Sequence, residues 1–557
     1  MRTIFLVIGL LFTNTVFCQS FSFQSIYHIK GANSQEIIHS CQDQEGNFYM
    51  VGRNFGSAYL NPALLLNPVN TNGLNDIFVV KTSSTGIFIW GKQIGGIKAD
   101  NSFFINTDSE NNVYLTGGFV DQVDFDPGSG TELRTSSSPY SNGFVLKLDS
   151  NGEFISVKTI ESSSISFVNF IKWDSNNNMY ISLYFGGNSN LNDFGIQESL
   201  TSNGGNDCLI LKYDPEGELI WQKFLTGTNV QYGGLFEIDK NDDLVVSYIF
   251  KGTIEVQSNG IDTTFTAPAD FNTLLQKISK DGNTLWSKHI YTTSKAELFN
   301  VNIDSENNYY ISGTFKESMN SELFDHNPIV GTPNSNAIIL KLDQNGNYLL
   351  HKSIPGKFSS VGFTGMDHQD NLLFGASFTN QISAFDENIS NFTSNGETDM
   401  FICVFDRELN VIRAVKIGGA YTDLVHQVYF SQNHEICIAG GFSGNVDFNP
   451  NISTNYVYAQ NFDGFYLKWN FTNTANLEET DQRNMTVLNL NGWLEISGID
   501  QISSIELISM NGSRVKPITE WNGDKIRVYS DHLSNGVYFL SVVTTQMEFI
   551  QKVVIVK

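Results

Sequence analysis

Acidic side chains alternate with an aromatic residue and a proline at two places, Asp121-Gln-Val-Asp-Phe-Asp-Pro-Gly128 and Gly444-Asn-Val-Asp-Phe-Asn-Pro-Asn451. Shorter relatives stand at Leu323-Phe-Asp-His-Asn-Pro328 and Phe385-Asp386. Oxygen ligands at Asp124 and Asp126, beside Pro127 and Gly128, could coordinate Ca2+. A dedicated calcium loop also needs a later bidentate acid, which this spacing lacks. The competing expectation is that Phe125, Phe324, Phe385 and Phe448 pack between repeats while Asp-Pro and Asn-Pro initiate turns.

Other chemistry is weakly signalled. The nine histidines include no His-x-x-x-His or His-Glu-x-x-His pairing. His28, His289 and His351 hold equivalent strand positions, where packing explains them. No Gly-x-Ser-x-Gly elbow and no phosphate-cradling Gly-Lys-Ser/Thr loop occurs. Paired carboxylates for glycoside chemistry would have to come from different repeats, which spacing cannot test. No catalytic, cofactor-binding or metal-binding residue is therefore assigned, and nothing asks for an enzyme.

The elements that must position any site come from a repeat. Asp108-Ser-Glu-Asn-Asn-Val-Tyr-Leu-Thr-Gly117 has copies starting at Asp43, Asp174, Asp239, Asp304 and Asp367, with a degenerate one at Ser431, at steps of 63–66 residues. A second series runs in phase with it: Phe78-Val-Val-Lys81, Phe144-Val-Leu-Lys147, Leu209-Ile-Leu-Lys212, Leu274-Leu-Gln-Lys277, Ile338-Ile-Leu-Lys341, Phe401-Ile-Cys-Val404 and Phe465-Tyr-Leu-Lys468. Each unit holds four short Val-, Ile-, Tyr- and Phe-rich runs separated by Asn, Asp, Gly and Ser clusters. Four strands per unit, seven times, predict an all-β fold, a seven-bladed β-propeller, with a single-sheet solenoid as the alternative. The repeated Asp is read as a turn residue and the repeated Lys (Lys147, Lys212, Lys277, Lys341) as a solvated strand flank.

A third series, Ile94, Ile160, Leu225, Ile290, Ile354 and Ile417, ends the fourth strand of units one to six and is missing from unit seven. Its equivalent is Ile29, so the N-terminal strand is expected to complete the last blade and leave no open edge. The turns after first and third strands are short and share one face. Second-to-third connections of about twenty residues share the other face with the unit-to-unit crossings, and long loops on a rigid scaffold are the expected binding surface.

The 557 residues carry a net charge of -25, with 33 Lys plus Arg against 58 Asp plus Glu, which argues against nucleic acid or an anionic membrane as partner. Residues 1–18 read as a signal peptide: Arg2, then an apolar run from Ile4 to Phe12, too short for a membrane span, and no later segment supplies a transmembrane stretch. Past Cys18, the cysteines Cys41, Cys208, Cys403 and Cys437 sit in apolar text and are expected as buried free thiols. The propeller is expected over 19–471, a polar linker over 472–484, and a separate small β domain over 485–557.

Two resemblances follow from these residues. The pattern in Asp43 to Gly52 and Asp304 to Gly313 resembles the bacterial SBBP-type β-propeller repeat. Unit seven departs from it, with Ser431 for Asp and His434-Glu435 in the turn, which puts that turn's geometry in question. The segments Met510-Asn-Gly-Ser-Arg-Val515, Leu533-Ser-Asn-Gly-Val-Tyr-Phe-Leu540 and Lys552-Val-Val-Ile-Val-Lys557 are similar to the type A sorting domain of the type IX (Por) secretion system. That resemblance implies an Ig-like β-sandwich, partnership with the type IX machinery, and a secreted or cell-surface protein. The expected role is a module binding an extracellular polymer or protein. The alternatives are an exported polysaccharide hydrolase or lyase with its site on the long-loop face, and an architectural surface scaffold.

Overall fold

The computed structural model describes residues 20–472, apart from short connections at 65–67, 137–138, 259–260, 269, 325–326, 387–388 and 450–453, together with strands between 486 and 555. The expected signal peptide, and the expected linker beyond residue 472, lie outside the described residues. The chain divides into two compact units, one of residues 19–450 and 454–472, the other containing 473–557. Among the described residues the only helical elements are two single turns, Asn192–Phe194 and Glu322–Phe324.

In the larger unit each repeat builds an antiparallel sheet with its strands in chain order. The second repeat shows the plan: Asn101–Thr107 pairs with Val113–Phe119, that strand with Asn142–Leu148, and that one with Phe154–Thr159. The first strands of the repeats are Ser34–Gln42, Asn101–Thr107, Ser166–Trp173, Gln231–Ile238, Ala296–Ile303, the broken pair Phe358–Val361 and Gly365–Met366, and Asp423–Phe430. All but the broken one carry a β-bulge at the same place, as between Ile37 and His39 or Val425 and Gln427. Opposite the bulge stands the glycine that ends the motif in four repeats, with Leu183 and Tyr248 in its place in the third and fourth. A Cβ at Gly52, Gly117, Gly313 or Gly440 would drive into the carbonyl oxygen of Glu36, Asn101, Glu297 or Leu424 on the bulged strand.

The repeated aspartate is a turn residue, as expected. Asp108 Oδ1 accepts the N–H groups of Glu110 (3.0 Å) and Asn112 (2.8 Å), and its Oδ2 accepts the Asn112 amide (2.9 Å). The residue three beyond each aspartate adopts positive φ: Gly46, Asn111, Asn177, Asp242, Asn307 and Asp370. That conformation favours Gly, Asn and Asp, hence the repeat's composition. The degenerate seventh turn keeps the geometry. Ser431 Oγ stands in for the carboxylate, accepting the N–H groups of Asn433 (3.2 Å) and Glu435 (3.1 Å), and His434 takes φ 60°.

The repeated lysine is not a solvated flank. Lys212, Lys277 and Lys341 are buried, and each Nζ lies against the turn aspartate of its own repeat: 3.5 Å from Asp174, 2.8 Å from Asp239 and 3.5 Å from Asp304. Lys147 makes the same pair with Asp108 at 3.4 Å but is part-exposed. The ammonium also reaches the following repeat, where Lys81 donates to Ser150 O (3.0 Å), Lys212 to Lys280 O (2.9 Å) and Lys341 to Arg407 O (3.0 Å). It rests over a tyrosine as well, for example 4.9 Å from the Tyr180 ring centroid. The next repeat's turn covers Lys81, Lys212 and Lys341, which one unit's sequence cannot show.

The N-terminal strand Ser20–Gly31 pairs antiparallel with Tyr456–Thr472, with Phe21 opposite Phe471, Ile26 opposite Leu467 and Ile29 opposite Gly464. It supplies the fourth strand of the last repeat, as the Ile29 register predicts. Phe21 and Ile29 are fully buried. His28 does more than pack, because its Nε2 lies 2.7 Å from Asp463 Oδ2 in the interior. His289 is packed by Phe250, Phe265 and Tyr291, whereas His351 Nδ1 bonds the Tyr348 hydroxyl at 2.7 Å.

The smaller unit contains two antiparallel four-stranded sheets among its described residues. One orders Thr486–Leu490, Trp493–Ser497, Lys525–Tyr529 and Ile518–Asn522; the other orders Arg514–Val515, Ile502–Ser509, Gly536–Thr544 and Glu548–Ile555.

Candidate functional site

The described carboxylates of the acidic loops bond their own backbone. Asp124 Oδ1 accepts the N–H groups of Asp126 (3.1 Å) and Glu132 (2.8 Å), and Asp126 Oδ1 accepts that of Gly128 (2.7 Å). Asp447 repeats the arrangement with Asn449 (3.0 Å) and Asn455 (2.7 Å). These carboxylates shape hairpins. Phe125 and Phe448 are fully buried, and each packs within its own repeat, Phe125 on Phe119 and Phe144, Phe448 on Phe442 and Phe465. Each also belongs to a core cluster shared with the preceding repeat, Phe125 with Ile77 and Ile94, Phe448 with Ile402 and Ile417, as packing between repeats requires. Among the described residues, no three His, Cys, Asp or Glu side chains are grouped to hold a metal ion. Cys41, Cys208, Cys403 and Cys437 are free thiols; all but the half-buried Cys41 are buried.

The first strands converge on aromatic rings. His39, Phe104, Phe170 and Phe363, from the first, second, third and sixth repeats, touch one another: Phe104 to His39 at 4.1 Å, Phe104 to Phe170 at 4.0 Å, His39 to Phe363 at 5.0 Å between ring centroids. Contact between such distant repeats requires the array to curl back on itself. Gln427 ties the ends together, its Oε1 accepting from Ser40 N and Ser40 Oγ (both 2.7 Å) while its Nε2 meets His39 Nε2 (2.9 Å) and donates to Ser40 O (3.0 Å). Burial, reinforced by the Lys172 charge, pushes His39 down to about 3. It is a neutral ring at any ordinary pH.

Beside this plug lies a cavity of about 330 Å3, lined by residues 39–42, 104–106, 299–301 and their counterparts. These are the halves of the first strands leading into the short turns, so the cavity is on the side opposite the long connections. Its charged groups are Lys172 and Glu237, which pair with each other. A carboxylate held by a lysine at a solvent-reached rim has neither of the environments that make an acid–base pair.

On the side of the long connections stand five carboxyl groups raised by burial: Asp76, Asp100, Asp207, Asp399 and Asp423. Asp100 and Asp423 are pushed up to about 7. Raised acids would suit a hydrolase, but these are inaccessible, with at most 1% of any residue exposed. Their bonded oxygens take backbone N–H groups both from the crossings and from the long connections. Asp100 accepts from Gly96 N (2.7 Å) and Val120 N (3.1 Å), Asp423 from Gly419 N (2.6 Å) and Ser443 N (3.2 Å). Because both folded-state values lie above the ordinary 3.8, the stability these two residues carry is complete below pH 3.8 and is lost as pH rises toward 7. Asp100→Asn with Asp423→Asn is expected to flatten the pH dependence of stability between about pH 4 and 7. Urea unfolding across that range checks this; an unchanged slope contradicts it.

A groove of about 630 Å3 opens on the same side at the junction of the sixth and seventh repeats. Its lining includes Tyr421, Tyr458, Phe462, Asn445, Gln460, Asn461 and Glu397. Tyr421 comes from the crossing between the two repeats, Asn445 and Tyr458 from the hairpin in the seventh repeat's long connection. The Tyr421 ring lies against Gly444, whose φ of 68° and lack of Cβ both make room for it. Tyr421 and Tyr458 are 57% and 64% exposed, so their rings face solvent rather than core. Glu397 accepts the Thr422 hydroxyl hydrogen at 2.8 Å. No motif drew attention to these residues, although the alternation Tyr456-Val-Tyr-Ala459 already places two tyrosines on one face of a strand. A smaller pocket of about 450 Å3 lies under the fifth repeat's connection, between Phe324, Tyr348 and His351.

Residues 472–556 match the family of secretion system C-terminal sorting domains. An uncharacterized WD repeat-containing protein of Acanthamoeba polyphaga mimivirus is 22% identical over 476 residues, with 72% of this chain and 34% of that protein covered. The chain thus spans about a third of that relative's length. The crystal structure of a protein of unknown function from Dyadobacter fermentans DSM 18053 aligns with a TM-score of 0.36 and 8% identity, covering 81% of this chain and 99% of that one. The sorting domain marks the chain for export through type IX secretion to the cell surface or the extracellular space. Among the described residues no helix is long and apolar enough to cross a membrane.

Proposed function

We propose that this is an exported, non-catalytic binding module: an SBBP-type seven-bladed β-propeller over residues 19–471, closed by its N-terminal strand, carrying an Ig-like sorting sandwich over 485–557. A signal peptide at 1–18 and the sorting domain serve as its address. The long-connection side binds an extracellular polymer or protein. The phase of the repeats, the N-terminal strand paired into the last repeat and the aromatic contacts across the centre support the propeller. The observation that carries the binding role is the groove at the sixth and seventh repeats, where solvent-facing tyrosines from a crossing and a hairpin stand among amides. A hydrolase or lyase finds less support, since the raised carboxyl groups on that side are buried.

The test is a panel of extracellular polysaccharides and matrix proteins offered to the full chain, alongside chromogenic glycoside and polyuronate substrates. Retention on a polymer or protein without turnover is expected. Turnover of any substrate would overturn the non-catalytic reading, and failure to bind anything would favour an architectural scaffold.

A further inference from the structure

The second and seventh repeats share one local frame. Gly95-Gly-Ile-Lys-Ala-Asp100 and Gly418-Gly-Ala-Tyr-Thr-Asp423 make the same crossing, down to the Gly96 N–H to Asp100 bond (2.7 Å) and the Gly419 N–H to Asp423 bond (2.6 Å). The parallel bridges Asn75 to Ala99 and Thr398 to Thr422 are equivalent too. In the hairpins that follow, Asp124 pairs with Leu133 and Gln122 with Thr135 in the second repeat, Asp447 with Tyr456 and Asn445 with Tyr458 in the seventh.

Three positions differ in character. Where the second repeat has exposed Lys98, Leu133 and Thr135, the seventh has Tyr421, Tyr456 and Tyr458, between 57% and 64% exposed. The second repeat therefore shows that this frame forms without any of the three rings. Large aromatic faces left in water by a frame that has no need of them mark a contact surface.

We infer that the tyrosine-bearing hairpin and crossing of the seventh repeat bind a neutral polysaccharide chain, which deepens the binding role proposed above and rests on it. Tyrosine faces stack on the apolar faces of sugar rings while their hydroxyls stay wet. Tyr456 and Tyr458, two residues apart on one strand, stand roughly 7 Å from each other, a spacing that suits an extended chain rather than a single compact ligand. Asn445, Gln460 and Asn461 offer both donors and acceptors, as sugar hydroxyls require. Among the described residues Glu397 is the ionisable group lining the groove apart from the tyrosines, Asp447 stands opposite Tyr456, and the chain carries a net charge of -25, so anionic glycans are repelled.

The test takes the full chain and a variant given the second repeat's residues, Y421K/Y456L/Y458T. Retention on neutral polysaccharides (cellulose, chitin, xyloglucan) is compared with retention on alginate and on a basic protein, each at low and high salt. The expected result is retention on a neutral polysaccharide that salt does not weaken, reduced about tenfold or more in the variant, with the unfolding midpoint unchanged. Should the triple variant fail to fold, Y458T alone is expected to give part of the loss. Equal retention by wild type and variants overturns the tyrosine site and leaves the long-connection side as the binding surface. Salt-sensitive retention only on alginate or the basic protein overturns the neutral-glycan inference alone. Retention on nothing overturns both.

Discussion

Lys212→Met is expected to destabilise the chain by about 3–5 kcal/mol, the usual cost of removing one member of a buried ion pair. Asp174 is 7% exposed; burial by itself raises its carboxyl, and the Asn178 side chain, the Asn178 and Asn176 N–H groups and the Lys212 charge outweigh it to hold the group below the usual range. Methionine retains most of the apolar stem but leaves Asp174 charged in the interior and abandons Lys280 O in the next repeat. Asp174→Asn in the same chain should recover part of the loss, because asparagine keeps the oxygen that caps the turn N–H groups at Asn176 and Asn178 while its amide gives up the bond from the Asn178 side chain. Denaturant unfolding of the two variants checks this. A Lys212→Met chain as stable as wild type would mean that the pair is solvated after all. The sixth repeat is a natural precedent for losing the set together: Val404 and Leu373 replace the lysine and tyrosine, and Asp367 is correspondingly less buried than Asp174.

Removal of Ser20–Gly31 is expected to abolish the folded state of the larger unit. The strand buries Phe21, Tyr27 and Ile29, and at about 1.5–3 kcal/mol for each large apolar side chain its loss approaches the whole stability of a typical domain. It would also expose the edge of Tyr456–Thr472 and strand Asp463 without His28. An unpaired, apolar edge is a template for aggregation. Size-exclusion chromatography and near-UV circular dichroism should show aggregate or an unfolded chain, partly rescued by a peptide of residues 20–31. A monodisperse, native-like truncated protein would show that the N-terminal strand is not the closure.

Much of this was legible in the sequence because turn chemistry is local. Asp108 and its copies announce their hairpins, the positive-φ position selects Gly, Asn or Asp, and the missing Ile in the seventh repeat points directly to Ile29. What escaped were relations between repeats. Lys212 looks like a strand-end flank until the following repeat's turn covers it. The central plug draws His39, Phe104, Phe170 and Phe363 from a column that also holds Leu235, Asn300 and Gln427, too mixed to show a pattern. Tyr421 and Tyr458 stand in irregular connections, and only alignment of the seventh repeat against the second reveals that their frame does not depend on them. The most repeated residues build the scaffold, and the distinguishing ones lie where the repeat is interrupted.

Hydrogen–deuterium exchange of the full chain, with and without a soluble neutral polysaccharide, locates the bound ligand on one side of the larger unit or the other. Protection confined to residues 418–423, 443–447 and 456–462 is predicted, because these segments form the groove on the long-connection side. Protection instead at 39–42, 104–106 and 299–301, around the cavity on the short-turn side, would place the ligand on the opposite side and overturn binding at the long connections.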